Sequence, residues 1–192
     1  MKICIYSGSF NPVHYGHISL ANYLITNNIS DEVWIVVSPQ NPLKMATDLL
    51  PDDLRLKMAK LAFKSKKRIK VSDVEFYLPK PNYTIDTLDF LQKKYPNYVF
   101  GLLIGEDNVK IFDKWKNFEQ ILNQYEVLVY PRLKLEQTEI NSKENDIKMY
   151  PQMKFINAPF INISSTEIRE RIKNHQSVKG LLPDNIIKLL TD

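Results

Sequence analysis

The stretch Ile3-Cys4-Ile5-Tyr6-Ser7-Gly8-Ser9-Phe10-Asn11-Pro12-Val13-His14-Tyr15-Gly16-His17 decides how the rest of the chain folds. Its apolar opening, Ile3 to Tyr6, reads as a buried first strand. Gly8 allows the backbone to turn sharply, and the periodic segment beginning at His17 reads as a helix. A strand, a tight turn and a helix N-terminus together make an anion site, because unpaired N–H groups and the positive end of the helix dipole point at one spot. Two of the chain's three histidines, His14 and His17, are delivered beside it, which points to phosphate chemistry.

Outward from that stretch the pattern repeats. Ile18, Ala21, Leu24 and Ile25 recur at helical spacing, and Val33 to Val37 form a second buried strand, completing a β-α-β unit. A loop holding Pro39, Pro42 and Pro51 leads to a helix carrying Leu54, Met58, Leu61 and Ala62, then to a strand around Ile69 and Val71. Ile85, Leu88 and Leu91 mark a third helix, Tyr98 to Ile104 a central strand, and Phe118, Ile121 and Leu122 another helix before the strand Val127 to Tyr130. The polar segment from Lys134 to Lys148 lacks a clear period and reads as surface. Phe155 and Ile156 suggest a last short strand, Ser164 to Lys173 a helix with a hydroxyl cap, and Asp184 to Leu190 a terminal helix. Such alternation predicts an α/β fold: a Rossmann-like, doubly wound parallel sheet with helices on both faces and ligands at the strand C-termini. Residues 1–192 are expected to form one domain.

Composition narrows the function classes. Hydrophobic residues are 44% of the chain, as in a globular protein. No apolar run approaches a membrane span, and Met1 stands directly before the first strand, so neither a membrane anchor nor a signal peptide is expected and a cytoplasmic location is. The lone Cys4 lies inside the first apolar run and reads as a small core residue, without intramolecular disulfide or cysteine-based metal site. A formal charge of +4 suits a small anionic substrate as well as nucleic acid. The basic cluster Lys64 to Arg68 closes an amphipathic helix, where positive charge meets the negative dipole end, so a solvated helix end is expected rather than a nucleic-acid patch. His175, in a polar segment, is expected to be exposed.

A second anion cradle lies in Ile163-Ser164-Ser165-Thr166-Glu167-Ile168-Arg169, a hydroxyl-rich helix start with an arginine one turn in; alone, it could be an ordinary capping sequence. Gly8, Phe10, Pro12, His14, Gly16 and His17 reproduce the GxFxPxHxGH pattern of the nucleotidyltransferases. With both cradles present, the chain resembles the adenylyltransferases that join a phosphate monoester to ATP. The segments Pro39 to Lys44, Asn82 to Leu88, Gly105-Glu106-Asp107 and Trp115 look like the corresponding blocks of bacterial nicotinate-nucleotide adenylyltransferases, in that family's order, over nearly the whole chain. It departs from the family at Ser7, usually glycine, at Asn11, usually aspartate, and at Asn82, usually serine.

The resemblance implies transfer of AMP from ATP to nicotinate mononucleotide by direct attack, giving deamido-NAD and pyrophosphate. It implies that His14, His17 and Arg169 are catalytic. Gly8, Ser9, Phe10, Gly16, Lys44, Gly105, Asp107, Arg132, Ser164, Ser165 and Thr166 would bind ATP, Asp107 through its ribose. Thr84 and Trp115 would hold the acceptor, Trp115 by stacking. Each of the last three has a plainer alternative: Asp107 and Thr84 as helix caps, Trp115 as a half-buried anchor. Mg2+ would ride on ATP phosphates, with no ligand set from the protein. ATP and nicotinate mononucleotide are the partners implied, without nucleic acid or membrane, and a homo-oligomer is left open. Phosphopantetheine adenylyltransferase shares both cradles, but not the Asn82 to Leu88 block or Trp115. A class I aminoacyl-tRNA synthetase fragment would need an anticodon domain. A catalytically inactive nucleotide-binding regulator would be expected to have lost a histidine or Arg169.

Overall fold

A computed structural model describes residues 1–40, 49–131 and 150–191. Six strands form one all-parallel sheet in the order β3-β2-β1-β4-β5-β6. In chain order they are β1 (Lys2–Gly8), β2 (Glu32–Val37), β3 (Ile69–Ser72), β4 (Val99–Gly105), β5 (Glu126–Tyr130) and β6 (Lys154–Phe155). The described α-helices are α1 (Tyr15–Thr26), α2 (Asp52–Phe63), α3 (Thr84–Lys94), α4 (Phe118–Gln124), α5 (Ser165–Lys173) and α6 (Asp184–Thr191). This is the doubly wound fold expected, and its strand order reverses between β1 and β4. Open α/β sheets bind ligands in the crevice beyond the strand C-termini at that switch point.

Each central strand feeds two cores because its side chains alternate. Cys4 and Tyr6 of β1 join Val33, Ile35 and Val37 of β2 on one face, under α1, α2, α5 and α6. Ile3 and Ile5 join Trp34, Val36, Phe100, Leu102 and Ile104 on the other, under α3 and α4. Such runs of buried residues are what a strand covered on both faces requires. Cys4 is a core residue, and burial pushes its thiol up to about 12. No helix among the described residues is long and apolar enough to cross a membrane.

Three expectations change in detail. α1 starts at Tyr15 rather than His17, with His14 as its N-cap. The left-handed residue of the first turn is Phe10, with φ of 45°, while Gly8 closes β1 opposite Val37. The buried stripe of α2 is Arg55, Met58, Ala59 and Phe63, rotated from the one read as Leu54, Met58, Leu61 and Ala62. A 3-10 helix, Glu106–Lys114, follows β4 where the sequence reading placed no element. The basic run behaves as expected: Lys64 ends α2, and Arg68 donates to Asp31 O (2.8 Å) and Ser30 O (3.2 Å).

Candidate active site

The β1–α1 junction is held by its two histidines. They close a reciprocal capping box at the helix start, in which the His14 side chain accepts from the His17 amide and the His14 amide donates to His17 Nδ1 at 3.2 Å. The accepting Nδ1 of His17 places the proton of a neutral imidazole on Nε2, so that ring turns an N–H donor outward from the cap. The rings stack with centroids 3.7 Å apart. Phe10 packs edge-on against His17 at 5.0 Å and against Tyr6 at 5.5 Å. His17 is thereby clamped between His14 and Phe10, and both histidines are buried, at 5% and 9% exposure. Phe10's side chain belongs to the core, so only its backbone is left for a ligand.

Gly16 is required for a steric reason. A Cβ there would lie 2.9 Å from His14 Cε1 and Nδ1. The helix start offers fewer amides than a bare N-terminus would, because Tyr15 N–H donates to Leu181 O at 3.0 Å and His17 N–H to the His14 ring. Gly16 N–H is the first-turn amide not drawn into these bonds.

The second cradle sits against the first. Arg169 Nη1 donates to Asn11 O at 2.9 Å, and Ser165 Oγ donates to Pro12 O at 2.9 Å, joining segments 158 and 153 residues apart. Ser164 is the N-cap of α5 and accepts from Glu167 N–H at 3.1 Å, as an ordinary cap does. Its own hydroxyl proton remains available, whereas that of Ser165 is committed to Pro12. Thr166 is exposed, its Oγ1 3.5 Å from Arg169 Nη2. The structure therefore brings His14, His17 and Arg169 to one loop.

Across the switch point, the register of Ile5 opposite Leu102 makes Gly8 level with Gly105. Gly105 is the N-cap of the 3-10 helix, and Asp107 lies exposed in its first turn beside Asn108, whose Nδ2 is 3.2 Å from it. Thr84 opens α3, but the N-cap is Tyr83, so Thr84 is not the cap. Trp115 ends the 3-10 helix, stacked at a tilt on Phe112 at 5.1 Å, with its Nε1 buried and without a partner among the described residues. Lys116, next to Trp115 in the chain, pairs with Asp86 of α3 at 2.9 Å and lies 4.8 Å above the ring of Tyr83, the residue before Thr84. Lys44 and Arg132 lie outside the described residues, as does the segment from Lys134 to Lys148. His175 is exposed.

Two residues of this region were not picked out in the sequence. Glu75, 2% exposed, accepts from Ser7 Oγ at 3.2 Å and Thr87 Oγ1 at 3.0 Å, joining the end of β1 to α3. Burial raises its pKa above the ordinary 4.5, outweighing the hydroxyls of Ser38, Thr87 and Ser7. Asn82 adds Nδ2 to Glu75 O at 2.9 Å. Two of the chain's three departures from the family pattern thus meet at Glu75, Ser7 at its buried carboxyl and Asn82 at its main-chain carbonyl. The third, Asn11, accepts from Leu50 N–H at 2.9 Å. Arg55 is the other residue missed, and it is fully buried.

The family model described as cytidylyltransferase-like matches residues 5–171, which places this parallel-sheet fold, with its two joined helix starts, among the nucleotidyltransferases. The chain is 45% identical over 190 residues to a protein of Flavobacterium psychrophilum named "probable nicotinate-nucleotide adenylyltransferase", covering 99% of this chain and 96% of that one. A protein of the same name from Flavobacterium johnsoniae is 44% identical, with 97% and 94% covered. Among solved structures, the Plasmodium falciparum nicotinic acid mononucleotide adenylyltransferase complexed with NaAD superposes with a TM-score of 0.80 at 22% identity, over 98% of this chain and 94% of that one, a likeness of fold. The chain belongs to the nicotinate-nucleotide adenylyltransferase family.

Proposed function

We infer that this chain transfers AMP from ATP to nicotinate mononucleotide, forming deamido-NAD and pyrophosphate. The observation that carries the reading is the joining of the two cradles: Arg169 and Ser165 reach the very loop that sets out His14 and His17. Positive charge and N–H donors are gathered at one place, and no carboxylate base is needed. A phosphate monoester, with its second pKa of about 6, is already an oxyanion at neutral pH.

In the proposed reaction an oxygen of the acceptor's phosphate attacks ATP's α-phosphorus, and the bond from that phosphorus to pyrophosphate breaks. Negative charge spreads over the phosphoryl oxygens and the leaving group, so the work is positioning and charge stabilisation. His14 and His17 would donate from Nε2 to those oxygens, and Arg169 would neutralise the departing phosphates. Ser164, Thr166, Gly16 N–H and the Gly8 to Phe10 backbone would line the ATP side, with Gly105 and Asp107 at the ribose. By family resemblance Lys44 and Arg132 would add charge. Trp115 would stack on the pyridine ring, and the start of α3 at Thr84 would receive its carboxylate. The described residues hold no group of three His, Cys, Asp or Glu suited to a metal; Mg2+, carried on the phosphates, would there neutralise triphosphate charge. The direct test is product analysis: ATP and nicotinate mononucleotide should give deamido-NAD and pyrophosphate in equal amounts. No adenylylated product would refute the reading.

A further inference from the structure

Arg55 carries a permanent charge that the reaction described above does not use. It lies on the buried stripe of α2 at 0% exposure. A guanidinium removed from water is tolerated only when its donors are met. Here Nε–H donates to Leu50 O at 3.0 Å, Nη1 to Ser9 O at 2.6 Å and Ser38 O at 2.8 Å, and Nη2 to Pro39 O at 3.3 Å and to the Asp52 carboxylate. Apart from Asp52, all these acceptors are main-chain carbonyls. They come from the β1–α1 loop, the exit of β2 and the turn into α2.

The grip on Ser9 bears on the phosphate loop. A peptide unit is planar and trans, so holding Ser9 C=O toward Arg55 sends Phe10 N–H the opposite way. Phe10 itself sits at φ of 45°, a left-handed conformation that a residue with a side chain adopts only under constraint. Leu50, whose carbonyl Arg55 takes, also donates its N–H to Asn11 Oδ1 at 2.9 Å, so the same turn braces the loop from both sides of Phe10. Pro39 and Leu50 stand before and after residues 41–48, and Arg55 holds the chain at both points.

We propose that Arg55 is a positioning residue for ATP, fixing the Ser9–Phe10 peptide so that the loop's amide face keeps its orientation toward the triphosphate. The proposal rests on the adenylyl-transfer reading for its ligand. Arg55→Lys keeps the charge but cannot fill five acceptors. It is expected to stay folded by circular dichroism, to lose about tenfold or more in kcat/KM for ATP and in affinity for a non-hydrolysable ATP analogue, and to keep its KM for nicotinate mononucleotide within about twofold, a displacement effect. Millimolar guanidinium should restore part of the rate of Arg55→Ala. The wild-type protein supplies an arm independent of any variant's folding: the Phe10 amide resonance should shift on adding the ATP analogue and stay in place with nicotinate mononucleotide alone. A folded Arg55→Lys with unchanged analogue affinity, or equal losses toward both substrates, overturns the proposal, and so does a Phe10 amide indifferent to the analogue. A wild-type protein inactive on nicotinate mononucleotide whose Phe10 amide still responds would overturn the acceptor assignment and support this one.

Discussion

Gly16→Ala separates the chemistry of the histidine pair from the stability of the fold. The added Cβ would lie 2.9 Å from two atoms of the His14 ring, about half an ångström inside normal carbon contact. His14 cannot simply swing aside, because it is buried and stacked 3.7 Å from His17, which is backed by Phe10 at 5.0 Å. Overpacking of this kind costs about 1–3 kcal/mol, while replacing glycine by alanine within a helix returns roughly 0.5–1 kcal/mol. The net loss of about 0–2.5 kcal/mol corresponds to a fall in Tm of at most about 10 °C, at about 2–4 °C per kcal/mol for a chain of this size. Turnover should suffer far more, since a misplacement near 1 Å at a reacting centre costs about a hundredfold. Calorimetry and steady-state pyrophosphate release on the same preparation make the comparison. A variant with wild-type kcat, or one whose activity falls only as its folded fraction falls, would refute the reasoning.

His17→Ala should leave the secondary structure intact and lower kcat by about two orders of magnitude or more, the scale of losing a preorganised donor to developing charge; a near-normal rate in a folded variant would remove His17 from the chemistry. The buried Glu75 gives a pH effect of definite sign. Its folded-state pKa is raised above 4.5, so the folded state holds its proton more tightly than the unfolded chain, and the carboxyl destabilises progressively as pH rises from the ordinary glutamate value toward the folded-state one. Glu75→Gln, free of this titration, should therefore gain Tm relative to wild type across that rise; parallel Tm curves against pH would contradict it.

The parallel sheet was legible because buried strands and amphipathic helices alternate in a fixed order, from Ile3–Tyr6 through Val127–Tyr130. The convergence of His14, His17 and Arg169 followed from placing each at a strand end or helix start. The helix start at Tyr15 was missed because its cap is a pair of histidines bonded to each other's backbone, a chemistry that Ser, Thr and Asp rules do not read. The 3-10 helix Glu106–Lys114 had a signal in Val109 and Phe112, both buried at threefold spacing. Arg55 shares the buried stripe of Met58 and Ala59, but nothing in the local pattern marks a charged residue there as buried; only the carbonyls gathered around it, from distant parts of the chain, explain its burial. Glu75 was hidden in the same way, its partners Ser7 and Thr87 being 68 and 12 residues away.

Competition measures the choice of acceptor directly. Nicotinate carries a carboxylate where nicotinamide carries a neutral amide, and a site that directs donors at that group leaves them unpaired with the amide. Purified protein is given ATP with equal nicotinate mononucleotide and nicotinamide mononucleotide, then with phosphopantetheine, and the adenylylated products are quantified. A kcat/KM preference of about a hundredfold or more for nicotinate mononucleotide is expected, with phosphopantetheine unused. Equal use of the two pyridine nucleotides, or preference for phosphopantetheine, would contradict it.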